Sequence, residues 1–413
     1  MVNIMTTVIL HKHKEESLLR FHPWVFSGAV KKVILDHNHP GDAPEEGELV
    51  AVQSADGQAL GVGHWQVGSI AVRILSFFTD KLPDDFWKTS IRFSNDLRRK
   101  CGLSRNDNNT YRLVHGEGDF LPGLVIDIYD DTAVIQAHSV GMHKNRMAIA
   151  EAVCEIVPEV KNVYYKSEGT LPYKAPIPAE EKKDGYLIGG VTSCLAMENG
   201  LTFGIDWLRG QKTGFFVDQR ENRALLEHYA KGRKVLNMFC YTGGFSVYAL
   251  RGGAELVHSV DSSAKAIELV NQNVHRNFPN CTNHEAFVDD AFHFLDTAPR
   301  DEQTGNRYSQ YDLIILDPPA FAKHRDAIRN ALQGYKRLNA KAFEQIRPGG
   351  ILFTFSCSQA IDKDMFRLAV FSAAAMSKRK VRIIRQLHQP EDHPVSIYHP
   401  EGEYLKGLVL WVE

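Results

Sequence analysis

The stretch Lys234-Val-Leu-Asn-Met-Phe-Cys-Tyr-Thr-Gly-Gly-Phe-Ser-Val-Tyr-Ala-Leu-Arg251 decides the fold. Lys234 to Phe239 is a short apolar run, Gly243-Gly244 a turn signal, and Gly244 to Arg251 a helical pattern. The same alternation continues downstream. Strands are predicted at Glu255–Val260, His284–Val288, Tyr311–Leu316 and Ile351–Phe355. Helices are predicted between and after them, at Ser263–Asn277, up to Leu295, at Ala327–Ile346 and at Asp362–Ser377. Short apolar strands alternating with helices imply an α/β, doubly wound and mostly parallel sheet. Two last strands, Val381–Leu387 and Gly407–Val412, have no helix between them, so one of them should run antiparallel.

Ligands of such sheets bind outside the carboxyl ends of the strands. The first strand ends at Asn237-Met-Phe-Cys-Tyr-Thr-Gly-Gly-Phe245, which lacks the GxGxxG that brings backbone against a pyrophosphate. A nicotinamide dinucleotide is therefore disfavoured, and an adenosine-bearing ligand without phosphates fits better. The second strand ends at Asp261, at the place of a ribose-binding acid; it also reads as a helix-start acid before Ser262 and Ser263. Asp289-Asp290-Ala291 and Asp317-Pro-Pro-Ala-Phe321 end the next two. The two prolines hold the latter backbone rigid and out of helix. The fifth, Ile351-Leu-Phe-Thr-Phe-Ser-Cys-Ser-Gln-Ala-Ile361, stops in three small polar groups around Cys357. On its own, Cys357 is a small core residue or a thiol aimed at a substrate.

The remainder of the chain sets bounds. Its 413 residues suffice for about two to four domains, with 44% hydrophobic and 24% charged residues. No apolar run reaches bilayer length and the N-terminus has no secretory pattern, so a cytoplasmic protein without membrane contact is expected. Six scattered cysteines without a CxxC pair argue for reduced thiols and no metal. A net charge of −2 excludes a wholly basic nucleic-acid coat but not a local basic face. Residues 1–80 read as a small β unit punctuated by glycines. Residues 81–195 read as α+β, with helices at Asp85–Cys101 and Lys144–Val157, and residues 196–413 as the sheet domain.

In this order VLNMFCYTGGFSVYAL, VDSS, DDAF, LDPPAF and FSCS resemble class I S-adenosylmethionine-dependent methyltransferases. KTGFFVDQRENR (Lys212–Arg223), FLPGLVIDIYDD (Phe120–Asp131) and the terminal YLKGLVLWV narrow the resemblance to the ribosomal RNA large-subunit methyltransferase I family. That family methylates cytosine C5 in 23S rRNA. The resemblance implies a Rossmann-like methyltransferase sheet preceded by a β-barrel PUA-type RNA-binding domain and a middle domain. It implies S-adenosylmethionine as cofactor, with Asn237, Phe239, Tyr241, Thr242 and Gly243 in the cofactor loop. Asp261, with Ser262 beside it, would meet the ribose, Asp290 with Ala291 the adenine, and Asp218 and Arg220 the amino-acid end. Asp317 would lie between methyl donor and base.

Cytosine C5 is a weak nucleophile, and a Cys357 thiolate adding to C6 would activate it. A helix N-terminus just after Ser358 would lower the thiol pKa. Asp317 would neutralise developing charge at the base. Two departures stand out: Gln359-Ala360 replaces the histidine many relatives carry there, and Pro319-Ala320 replaces a second cysteine known from other RNA cytosine-C5 enzymes.

RNA, 23S rRNA on this resemblance, is the expected partner. It would be held by Lys12, Lys14, Arg20, Lys31 and Lys32, by Lys323, His324 and Arg325, and by the cluster Arg98-Arg99-Lys100. The target base must leave its stack to be methylated. Trp24 and Phe26 are expected in the core rather than stacked on bases, and Cys240 as packing. Whether the chain forms a homodimer is left open. Two rivals stand beside cytosine C5: guanine-N7 methylation, which needs no thiol, and a non-catalytic RNA-binding assembly factor.

Overall fold

The computed structural model describes residues 5–172, 175–190, 193–297, 309–322 and 325–413. The chain divides into two compact units, one of residues 1–199, 205–217 and 391–402, the other of 200–204, 218–390 and 403–413.

The first unit holds two sheets. A six-stranded sheet has the spatial order Trp24–Phe26, Ile70–Phe77, Ala59–Trp65, Leu49–Gln53, Thr7–Leu10, Val30–Ile34. All its pairs are antiparallel except Thr7–Leu10 with Leu49–Gln53. Val8, Leu10, Val50, Val52, Leu60, Val72 and Ile74 form its core, the alternate positions that period-2 patterning predicts. A five-stranded sheet, Gly185–Ile188, Asn162–Tyr165, Thr132–Ala137, Leu124–Tyr129, Thr110–His115, packs on helices Phe86–Lys100 and Arg146–Ile156. The helix expected over Lys144–Val157 is Arg146–Ile156, and a separate short helix, Val140–Lys144, precedes it. They break at Asn145, whose side-chain amide donates to the Gly141 carbonyl at 2.8 Å. That competition of a short polar side chain with the helix ladder is the physical cause of the break.

The second unit is the doubly wound domain. Its elements are α1 (Arg220–Ala230), β1 (Lys234–Met238), α2 (Gly244–Arg251), β2 (Leu256–Asp261), α3 (Ala264–Asn277), β3 (His284–Val288) and α4 (Ala291–Thr297). They continue with β4 (Leu313–Leu316), α5 (Ile328–Gln345), β5 (Gly350–Ser356), α6 (Lys363–Met376), β6 (Val381–His388) and β7 (Lys406–Val412). The sheet order is β3-β2-β1-β4-β5-β7-β6. β7 is the antiparallel member, running against both β5 and β6. Each central strand is apolar on both sides because both faces are covered. Leu236, Ile314, Leu316 and Leu352 meet Leu338, Phe343 and Phe366 of α5 and α6 on one face. Val235, Ile315, Phe353 and Phe355 meet Leu226, Phe245 and Ala249 of α1 and α2 on the other. Burying each such side chain stabilises the unit by about 1.5–3 kcal/mol.

β1 and α2 flank the point where the sheet order reverses direction. Met238 pairs with Val260 and with Leu316, and Leu316 with Thr354. The next residues, Phe239, Asp261, Asp317 and Phe355, are therefore level along the carboxyl edge.

Candidate active site

The β1–α2 turn bends through Phe239 (φ +58°), Tyr241 (φ +46°) and Gly243 (φ +82°), all in the left-handed region. Two of these carry side chains and bear a conformational cost of order 1 kcal/mol or more each, a kind of strain that gathers at ligand sites. The Tyr241 amide donates to Asp261 Oδ2 at 3.0 Å and the Gly243 amide to the Cys240 carbonyl at 2.8 Å, which holds the bend. Glycine suits Gly243 by its positive φ, and at both glycines a side chain would press on its neighbours. A Cβ on Gly243 would lie 3.0 Å from Val270 Cγ1, and one on Gly244 would lie 2.9 Å from Arg223 Cδ.

Asn237 is buried beneath this turn and donates to Ser246 Oγ at 2.8 Å. The line continues through Ser259 Oγ, 2.7 Å from Ser246 Oγ, to His284 Nε2 at 2.9 Å. Asn237 Oδ1 is a buried acceptor without a hydrogen-bond partner among the described residues. Thr242 is buried and gives its carbonyl to the Asn273 side chain at 2.9 Å. Both Asp261 oxygens accept backbone amides, Oδ2 from Tyr241 and Oδ1 from Ser263 at 2.9 Å, with lone pairs remaining for ribose hydroxyls. Ser262 is exposed, and the hydroxyl that caps α3 is that of Ser263.

Asp290 is exposed and its Oδ1 accepts the amides of Phe292 and His293 at 2.9 and 3.1 Å. It thus starts α4 as a cap and keeps its second oxygen outward-available, while Ala291 is buried. Asp289 bonds His293 Nδ1 at 2.8 Å, which raises the pKa of that imidazole. At the α1 start, Asp218 accepts the Tyr404 hydroxyl at 2.7 Å. Arg220 is buried there with its Nε 3.3 Å from Glu221. Cys240 is buried, and burial pushes its thiol pKa well up, so it is a packing residue.

Asp317 is half-buried at the end of β4, and Cys357 is half-buried just past the end of the adjacent parallel strand β5. Ser358 ties their loops together. Its Oγ accepts the Ala322 amide at 3.3 Å and lies 3.0 Å from the Tyr335 hydroxyl of α5. The Phe321 ring lies on the Tyr335 ring with centroids 4.6 Å apart. The expected helix N-terminus just after Ser358 is absent. α6 begins at Lys363, with Asp362 as its cap, accepting the Met365 amide at 2.8 Å. Asp362 and Asp364 already neutralise that end.

Lys406, at the head of β7, was not among the expected site residues. It is buried, and its Nζ donates to the Ser358 carbonyl at 2.6 Å and the Tyr404 carbonyl at 2.8 Å. Burial pulls its pKa down to about 8, against an upward pull from nearby anions of which Cys357 is the first. A lone lysine opening the apolar run Lys406-Gly-Leu-Val-Leu-Trp-Val412 was the available signal.

Of the basic groups expected to hold RNA, Lys12, Lys14, Arg20, Lys31 and Lys32 are exposed. Arg20 is partly offset by Glu16 at 3.3 Å. Lys323 and His324 lie outside the described residues, and Arg325 opens a short 3-10 turn, Arg325–Ala327. Of the cluster Arg98-Arg99-Lys100, Arg99 and Lys100 are exposed, but Arg98 is corrected: it is fully buried. It donates to Asp119 Oδ2 at 2.7 Å and to the carbonyls of Arg112 and Asp392 at 2.8 Å each. It faces inward because the helical period turns position 98 to the same side as Ile91, Ser94 and Asn95. Trp24 gives its indole N–H to Glu117 at 2.9 Å, while Phe26, expected in the core, is 47% exposed. It stands outside because Phe26 begins the turn into Ser27–Ala29 at the end of an edge strand.

Among the described residues, His22, His399 and Glu401 are close enough to share a cation, with ligand atoms within 4.8 Å of one another. The Trp24 amide donates to His22 Nδ1 at 3.3 Å, which leaves the proton on the Nε2 that faces Glu401 and disfavours a metal. No described helix is long and apolar enough to cross a membrane.

Comparison with known proteins agrees with this geometry. A family described as S-adenosylmethionine-dependent methyltransferase matches residues 186–401, and a PUA-like domain family matches residues 8–77. The ribosomal RNA large subunit methyltransferase I of Tolumonas auensis is 38% identical over 410 residues, covering 98% of this chain and 99% of that one. The protein of the same name from Shewanella denitrificans is 37% identical over 411 residues, with 97% of each chain covered. A solved chain described as a candidate methyltransferase complexed with SAH superposes with a TM-score of 0.80 at 23% identity, covering 98% of this chain and all of that one. A candidate SAM-dependent methyltransferase from Streptococcus mutans gives 0.79 at 22% identity, with 98% and 100% covered. The residues fit the cofactor: a strained turn, an orphaned buried acceptor at Asn237 and a backbone-held carboxylate at Asp261 line the edge where its adenosine would sit.

Proposed function

The chain belongs to the ribosomal RNA large subunit methyltransferase I family, and on that premise we propose that it methylates C5 of a cytosine in 23S ribosomal RNA through a covalent Cys357 adduct. Bound S-adenosylmethionine supplies an electrophilic methyl group. The β1–α2 turn, Asp261 and the Asp290–Ala291 corner hold its adenosine. Asp218 and Arg220 orient its amino-acid end.

Cys357 adds as thiolate to C6 of the flipped cytosine, which makes C5 enamine-like and able to take the methyl group. Asp317 carries the proton that meets N3 and so neutralises charge as it develops. Methyl transfer leaves the cofactor as its thioether product; the C5 proton then passes to water, N3 returns its proton to Asp317, and elimination of the thiolate restores the aromatic base and the free Cys357. The exposed Lys12 and Arg20, with Arg325 beside the Asp317 loop in sequence, hold flanking phosphates. The reaction belongs in the cytoplasm, where ribosomal RNA is assembled in bacteria.

The observation that supports this reading is the placement of Asp317 and Cys357 just past the ends of the adjacent strands β4 and β5, their loops bound together by Ser358. The test uses 23S rRNA fragments containing 5-fluorocytidine, with S-adenosylmethionine and the wild-type or Cys357→Ala protein. Fluorine at C5 cannot leave as a proton, so an SDS-stable adduct with wild type alone is expected. If both proteins methylate unmodified RNA and neither forms an adduct, the reading is overturned in favour of guanine N7. Failure to bind S-adenosylmethionine at all would instead favour an assembly factor.

A further inference from the structure

Nothing in the α6 dipole supplies positive charge to Cys357, because that helix starts at Lys363 behind its own acidic cap. Positive charge comes from another element. In the β5–β7 ladder Lys406 is the direct partner of Ser356, the residue before Cys357. Its Nζ reaches the carbonyl of Ser358, the residue after Cys357, at 2.6 Å. The lysine thus brackets the cysteine from both sides along the chain. We propose that Lys406 is the positioning residue of the nucleophile: its ammonium, fixed on the Ser358 and Tyr404 carbonyls, holds Cys357 as a thiolate in the turn after β5. This inference rests on the covalent reading above.

The alternative is that Lys406 merely satisfies two carbonyls. Carbonyls do not need a charge, and a buried ammonium carries a large desolvation cost unless an anion compensates it. Among the described residues, the charges acting on Lys406 are those of Cys357, Asp362 and Glu403. Asp362 and Glu403 act on Lys406 more weakly than Cys357, and Glu403 is itself paired with Lys363 at 2.5 Å. The Tyr335 phenol on Ser358 has its pKa raised by burial and stays neutral. The proton balance is simple. Cys357 gives its proton to solvent, Lys406 keeps its own, and the pair is neutral overall before sulfur attacks C6. Because burial brings the Lys406 pKa to about 8, the help to the thiolate is present at neutral pH and fades above that value.

The test measures the rate of Cys357 alkylation by iodoacetamide against pH in the full chain, read by mass spectrometry of the Cys357 peptide. Wild type is compared with Lys406→Met, Lys406→Gln and Lys406→Arg. The expected result is a midpoint about one pH unit higher in the two neutral variants and restored in Lys406→Arg. The same variants should form the 5-fluorocytidine adduct about tenfold more slowly at pH 7, the curves converging above about pH 9. Superimposed alkylation profiles, in variants that bind S-adenosylmethionine as wild type does, would overturn the proposal. Lys406→Gln keeps a donor for the carbonyls should Lys406→Met unfold. A shifted profile without any adduct in wild type would support the lysine–thiol coupling and reject the cytosine reading, so the two failures are distinct.

Discussion

The hydroxyl of Ser358 accepts the backbone amide of Ala322 at 3.3 Å, and by that bond the loop after β5 and the loop after β4 are held as one piece. Neither loop is regular structure, so their mutual placement depends on such side-chain contacts. Ser358 also meets the Tyr335 hydroxyl at 3.0 Å, which anchors the pair to α5. Removing the hydroxyl strands the buried Ala322 amide and takes one partner from the buried Tyr335 phenol, which keeps Ser356. Ser358→Ala should cost about 1–3 kcal/mol of stability. It should lower the methylation rate about tenfold or more, since small misplacements of reacting groups are expensive. Thermal unfolding and single-turnover methylation check the two effects.

Asp261 does two jobs, fixing the strained Tyr241 turn and offering lone pairs at the edge. Asp261→Asn keeps the shape but loses the charge and one acceptor. Charged hydrogen bonds contribute about 1.5–3 kcal/mol, so S-adenosylmethionine affinity should fall by roughly 10- to 100-fold. Calorimetric titration of the cofactor reads this directly; an unchanged Kd would remove Asp261 from the ribose.

His64 is buried beside Asn145, and burial brings its pKa down to about 4 from the ordinary 6.5. The folded state therefore resists the proton that the unfolded chain accepts. Its contribution is whole above pH 6.5 and is lost as the pH falls towards 4. The stability lost on going from pH 7.5 to pH 5 should include about 2 kcal/mol from this residue. Denaturant melts of wild type and His64→Gln at both pH values check it, the variant losing less.

Arg98 is a structural cation. Arg98→Ala leaves Asp119 buried without its partner, which should destabilise the first unit by about 3–5 kcal/mol. The salt slope of RNA binding should not change in protein that remains folded, whereas Lys12→Ala should reduce that slope by about one. Filter binding across a salt series separates the two.

The sheet was legible because strands buried on both faces leave long apolar runs broken by helices. The edge position of Asp261, Asp290 and Asp317 was legible for the same reason, since strand ends can be counted. Arg98 was misread because a run of three basic residues says nothing about which one the helical period turns inward. The start of α6 was legible from its cap, Asp362, but the place of Ser358 was not, because only tertiary structure shows its hydroxyl spent on Ala322 and Tyr335. Lys406 lies 49 positions beyond Cys357 in the sequence and next to its strand in space, through an antiparallel ladder whose register no local pattern specifies.

β7 is an inner strand of the sheet although it follows every other strand in the chain. During synthesis β5 and β6 are made before the strand that must lie between them. Until Lys406–Val412 has emerged, the sheet has an open slot, with β5 and β6 each presenting an unpaired edge to whatever chain comes near. The cation beside Cys357 arrives with that same strand. A nascent chain of this protein therefore carries its thiol for some time before it carries the charge that would arm it, so the reactive form exists only once the sheet is closed.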